Sequence, residues 1–294
     1  MSGANEHRRR VETMRLEQSR RQMTTARRRR LALIVAPIVV VVLVVGIMVG
    51  IKFTGTKEAN GTPTAAEAST LAKLTGVPAE TLAKAGAPPP DAKLLPVSGE
   101  PPLTQDGKPR ILYLGAEYCP YCAAQRWPLI IALSRFGTFT GLQESHSSGQ
   151  DVFPNTATFT FRSATYSSPY VTFTAVETED EQGRPLQQPS AADTALVTKL
   201  NAPPYVPAEA KGSIPFIDIG NRFLATGASY SPEVLDGLDH AQIAGGLADP
   251  AGPIGKPVDS VANLMTASIC AITGDKPANV CDEPVVKNIR KGLG

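Results

Sequence analysis

Cysteine is scarce in this chain: there are four in 294 residues. Crosslinks cannot be its main source of stability, a small cysteine-knit scaffold is excluded, and each Cys needs its own explanation. Aromatic side chains make up only 6%, with a single Trp. The 25 Gly and 26 Pro are too few and too scattered for a collagen or for wholesale disorder. What is present, 42% hydrophobic residues, supplies the core of one sizeable domain, and at roughly 100–200 residues per domain the length allows one or two.

Charge is absent from one stretch altogether. From Leu31 to Ile51 the chain reads LALIVAPIVVVVLVVGIMVGI, 21 residues without a charged or strongly polar side chain. At about 1.5 Å per residue a helix of that length spans about 30 Å, the hydrocarbon thickness of a bilayer. It exceeds the apolar core of a cleaved signal peptide, roughly 7–15 residues, and no Cys follows it as a lipid-attachment site. An uncleaved transmembrane helix over 31–51 is therefore expected, held in membrane lipid.

The net charge of +2 conceals ten Arg against three Glu in residues 1–30, which is +7 and leaves −5 for the remainder. Arg27 to Arg30 abut the apolar segment while only Lys52 and Lys57 follow it, so the positive-inside bias places the 1–30 tail in the cytoplasm and the rest outside. No aromatic residue is interleaved among these Arg for base stacking, which argues for topogenic charge and against nucleic-acid binding.

Residues 52–102 are rich in Ala, Thr, Pro and Gly and read as a stalk. Within them AAEASTLAKLTG and VPAETLAKAG carry helical spacing, and Pro88–Pro90 should be extended and stiff. From about Leu103 to residue 294 the chain reads as one continuous domain.

That domain opens with a turn, TQDGKPR, and a short apolar strand, Ile111 to Leu114. Glu117-Tyr118-Cys119-Pro120-Tyr121-Cys122 follows, and residues 123–136 then have helical periodicity broken only at Pro128. Two cysteines thus stand where a strand turns into a helix. A thiol at a helix N-terminus meets free N–H groups and the positive end of the macrodipole, which favour thiolate; Cys119 is the expected nucleophile. Cys122, one turn on, is placed to attack a mixed disulfide and resolve it, and Pro120 suits the first turn because its missing N–H has no partner there anyway. Half of a zinc site is the blander reading, but neither Cys270 and Cys281 nor His146 and His240 offers paired ligand spacing.

The segment ILYLGAEYCPYCAAQRWP resembles the active-site turn of the thioredoxin superfamily, and GSIPFIDIGNRFLATGASYSPEVLDGL resembles its later half. The pieces FPNTATFTFRSATYSSPYVTFTAVE and ASICAITGDKPANVC look more specifically like a family of membrane-anchored thioredoxin-fold proteins catalogued as a domain of unknown function. The likeness runs over roughly 103–285. It implies an α/β fold with a central mixed sheet flanked by helices, an insertion at about 137–212 and one preceding transmembrane helix. It also implies an Ile214-Pro215 bond that is cis and faces the cysteines, a strand Phe216–Ile219, a strand Arg222–Ala225 and a closing helix from about Ser231. Pro120, Tyr121, Ile214 and Pro215 become active-site support. One departure is Tyr113, which stands six before Cys119 where thioredoxin carries a buried acid; this argues against a reductase-type proton relay through that position.

Outside the cytoplasm the default for Cys270 and Cys281 is a static disulfide, with a relay to Cys119 and Cys122 as the alternative. Trp127 is expected beneath the active-site helix, and His146 and His240 at the surface. The expectation is a single-pass cell-membrane protein whose extracytoplasmic domain exchanges disulfides with secreted or membrane proteins. It needs no organic cofactor or metal but does need an unidentified redox partner. The alternative is a non-catalytic thioredoxin-like binding domain, or a Cu(I)-handling one using the same two thiols.

Overall fold

The computed structural model describes residues 62–92 and 94–293. The expected tail and membrane segment, 1–51, lie outside the described residues; among those described, no helix is long and apolar enough to cross a membrane.

The described chain begins with β1 (Thr64–Ala65), α1 (Ala68–Thr75) and α2 (Ala79–Ala85). Here the structure departs from the stalk expected over 52–102. Leu74 and Leu82 are fully buried in the main hydrophobic core. The C-terminal end of α2 is tied to a distant helix: Asn263 Nδ2 donates to Leu82 O at 2.7 Å, which also accepts the Gly86 N–H, and to Gly86 O at 2.9 Å, and Lys256 Nζ donates to Ala85 O. Composition alone conceals this, because an Ala- and Pro-rich stretch reads as a linker until its partners are known.

The main sheet is mixed. Strands β2 (Leu95–Pro96) and β3 (Thr104–Gln105) precede β4 (Lys108–Gly115), which leads into α3 (Pro120–Ser134). Next come β5 (Thr138–Thr140), β6 (Gln143–His146), β7 (Ala157–Thr160), β8 (Thr165–Ser167) and β9 (Thr172–Glu177). Of these only β9 joins the main sheet, parallel to β4; β6 pairs with β1 and β7, and β5 pairs with β8. After α4 (Ala191–Leu200), capped by the Ser190 side chain, β10 (Phe216–Ile219) lies antiparallel to β4 and β11 (Phe223–Thr226) antiparallel to β10. The chain closes with α5 (His240–Gly246), α6 (Gly255–Ile272), α7 (Ala278–Cys281) and α8 (Pro284–Lys291).

Strand alternation gives the sheet two apolar faces. Ile217, Ile219, Phe223 and Ala225 face the main core with side chains of α3 and α6. Phe216 and Leu224 face the other way, into a smaller cluster with Leu200 and Val206 that Leu196 and Val197 of α4 help to cover. Helices therefore flank both faces. The expected closing helix near Ser231 is a short 3-10 turn, Pro232–Leu235, and the α-helix begins only at His240, where Asp239 and Gln242 form a reciprocal capping box.

Candidate functional site

The turn from β4 into α3 is built by local chemistry. Cys119 is the N-cap of α3: its backbone is extended, Pro120 fills the first helical position, and Cys119 Sγ accepts the Cys122 N–H at 3.2 Å. The helix continues through Pro128, which cannot donate to the Ala124 carbonyl one turn back. Tyr230 Oη donates to that carbonyl instead, at 2.7 Å.

Cys119 is 5% exposed and Cys122 is fully enclosed; neither is in a disulfide. The Cys119 thiol lies 4.0 Å from the Ile214 carbonyl oxygen, and the Ile214-Pro215 bond is cis. Ala116, Cys119 and Cys122 form a small buried cluster flanked by Tyr118 and Ile214. Tyr121 stands outside it, 42% exposed, with its ring edge-on to Phe153 at 6.1 Å. The two thiols differ in acidity. Hydrogen bonding from Cys122, above all, pulls Cys119 below the ordinary thiol range against the opposing effect of burial. Burial pushes Cys122 well above it. Cys119 is thus the more acidic of the two thiols, and its fully enclosed neighbour is held protonated.

Sequence reasoning missed what lies under the dithiol. Arg126 and Glu177 form a fully buried, two-pronged ion pair: Nε to Oε1 at 3.0 Å and Nη2 to Oε2 at 2.7 Å. Tyr113 is buried as expected for a strand residue, with the guanidinium 5.8 Å from its ring centre. Glu117, directly before the motif, is buried; its Oε1 accepts from Thr160 Oγ1 at 2.6 Å while Oε2 has no partner, and burial raises its carboxyl. The available signal was spacing, since Arg126 follows Cys122 by four residues on one helix. Its partner Glu177 is 51 residues away in sequence and carries no local mark.

Trp127 is buried, donates its indole N–H to Ala157 O at 3.0 Å and meets Phe159 edge-on. His240, expected at the surface, is instead buried against Trp127 and Phe159, with Nε2 2.6 Å from Thr158 O. Cys270, on α6, and Cys281 are joined in a disulfide, both fully buried in the main core, whereas Cys119 and Cys122 belong to a separate cluster. Among the described residues no group of three or more His, Cys, Asp or Glu is placed to hold a metal ion.

Fold and site together define a mixed α/β protein with a free cysteine pair at a strand-to-helix turn. Residues 94–208, less than half of the chain, match a family described as a domain of unknown function (DUF929). No curated protein and no solved structure matches the chain.

Proposed function

We propose that the chain is a thioredoxin-like thiol-disulfide oxidoreductase, anchored in the cell membrane by residues 31–51 with its folded domain outside the cytoplasm. The observation that carries the activity is the asymmetry of the two sulfurs. Cys119, the slightly exposed N-cap, accepts the Cys122 N–H, while Cys122 is enclosed and protonated. The Cys119 thiolate attacks one sulfur of a substrate disulfide, and the other leaves as a thiol. Cys122 then loses its proton and attacks Cys119 Sγ, which releases the second substrate thiol and leaves a Cys119–Cys122 disulfide. The reverse sequence forms disulfides in substrates. Ile214, whose carbonyl oxygen lies 4.0 Å from Cys119 Sγ, and the cis-bonded Pro215 after it would flank an extended peptide docked at that sulfur. The order of elements from β4 through β11 supports the thioredoxin likeness, with β5 to β8 and α4 as the insertion.

Exchanging Cys122 for Ser tests the mechanism. Cys122→Ser should accumulate mixed disulfides at Cys119, seen as bands that collapse on reduction, and Cys119→Ser should give far fewer. If Cys122→Ser traps nothing under oxidising conditions and the wild type neither oxidises nor reduces a model peptide, the exchange reading is wrong; tight Cu(I) binding by the same protein would then favour a metal-handling role. For the membrane reading, a reporter active only outside the cytoplasm should work when fused after Gly294 and fail when fused before Arg8.

A further inference from the structure

Cys119, Cys122 and Arg126 are spaced by three and then four residues, which sets them along one face of α3. Besides its two bonds to Glu177, the Arg126 guanidinium donates to Ala116 O at 2.9 Å, and that same Ala116 packs with Cys119 and Cys122 in one buried cluster. A single residue thus touches both the cation and the group that holds the sulfurs. Nη1 of Arg126 and Oη of Tyr113 are buried without partners. Of the acids nearby, Glu177 has both oxygens taken up by Arg126, and Glu117 is engaged by Thr160 and lies 3.7 Å from Arg162 Nε. Where a carboxylate would oppose a negative sulfur, β4 presents the neutral phenol of Tyr113.

We propose that Arg126 is a positioning residue that sets the direction of exchange: its enclosed guanidinium favours the thiolate over the disulfide at Cys119 and Cys122, making the oxidised protein a disulfide donor. The proposal rests on the exchange reading above. A disulfide carries no charge and gains nothing from a neighbouring cation, whereas a thiolate in a poorly screened interior gains much. The Cys122 hydrogen bond dominates at Cys119 and burial dominates at Cys122, but at both sulfurs the guanidinium acts in the same direction, toward thiolate. In the favoured direction a substrate thiolate attacks Cys119 Sγ, and the Cys119–Cys122 bond breaks with its electron pair leaving on Cys122. A second substrate thiolate then attacks the substrate sulfur of the mixed disulfide and expels Cys119. The substrate dithiol loses two electrons and two protons. The protein dithiol that results is reoxidised by a disulfide acceptor, oxidised glutathione in the assay below.

The test uses the full chain in detergent micelles, equilibrated with reduced and oxidised glutathione, together with the pH profile of Cys119 alkylation. Removing one member of the buried pair would strand a charge, so Arg126→Met is combined with Glu177→Leu. The double variant should shift the equilibrium toward the disulfide by about tenfold or more and move the alkylation midpoint to higher pH. Arg126→Lys, which keeps the charge, should stay near wild type. A folded double variant with the wild-type equilibrium and midpoint overturns the proposal and leaves Arg126 as a clamp between α3 and β9. Should that variant not fold, Arg126→Gln with Glu177→Gln, a neutral pair that keeps polar partners for each other, must shift the equilibrium toward the disulfide, and no shift overturns the proposal equally. If Cys122→Ser traps partners while these variants change nothing, this proposal alone fails. If nothing is trapped and the wild type does not exchange with glutathione, the exchange reading falls and takes this proposal with it.

Discussion

The Tyr113 hydroxyl occupies the volume that a side chain at residue 115 would need: a Cβ placed on Gly115 would lie 2.3 Å from Tyr113 Oη and 2.7 Å from its Cζ. Residues 113 and 115 share one face of β4, so the glycine lets the phenol lie forward along the strand, toward the end that carries the cysteines. Gly115→Ala should therefore cost about 1–3 kcal/mol through overpacking and should displace Tyr113. Urea unfolding measures the first effect and the quenching of tyrosine fluorescence the second; unchanged values for both would mean that the contact relaxes without cost.

A second prediction concerns the proline inside the active-site helix. Tyr230 Oη supplies the hydrogen bond that Pro128 cannot give to Ala124 O. Tyr230→Phe keeps the ring and strands a buried carbonyl, so it should destabilise the fold by roughly 1–3 kcal/mol. In a Pro128→Ala background the helix regains its own donor, and the loss should shrink. Equal losses in both backgrounds would separate Tyr230 from Pro128.

The Cys270–Cys281 disulfide closes a loop with a sequence separation of 11. In the loop-entropy picture a ring of this size contributes roughly 2–3 kcal/mol by restraining the unfolded chain. Replacing both residues with Ser should lower the melting temperature and leave the alkylation rate of Cys119 nearly unchanged, because the two pairs lie in different clusters. A loss of exchange at full stability would instead make the second pair a relay.

A further prediction is a pH dependence of stability. Asp259 is buried on α6 with neither carboxylate oxygen partnered, and burial raises its carboxyl to about 7 from an ordinary 3.8. The folded state holds this proton more tightly than the unfolded chain does. Stability from this group is full below about pH 4, falls as pH climbs toward 7 and is flat above, a loss on the order of 4 kcal/mol. Asp218, buried in β10 and also raised to about 7, contributes a second fall in the same window. Asp259→Asn should therefore reduce, without abolishing, the drop in melting temperature between pH 5 and pH 8. An undiminished drop would show that Asp259 is ionised in the fold at both values.

The sequence alone determined what is written in near neighbours. The strand before Cys119, the helix after it and the cap and first-turn roles of Cys119 and Pro120 depend on residues within about one helical turn, and they are legible in ILYLGAEYCPYCAAQRWP. The strand β10 is legible as well, through the likeness of GSIPFIDIGNRFLATGASYSPEVLDGL to the later half of the thioredoxin superfamily. Only the tertiary structure decided which residues stand beneath the sulfurs, because burial of a charge depends on a partner and the partner is distant in the chain. Arg126 reads as one more polar helix position until Glu177 arrives from β9. For the same reason α1 and α2 pass for a stalk until α3 and α5 pack on the first and α6 on the second, and His240 passes for a surface residue until Trp127 and Phe159 close over it. Local propensity chooses helix or strand over a few residues, whereas the field around Cys119 is summed over side chains that meet only when the sheet forms.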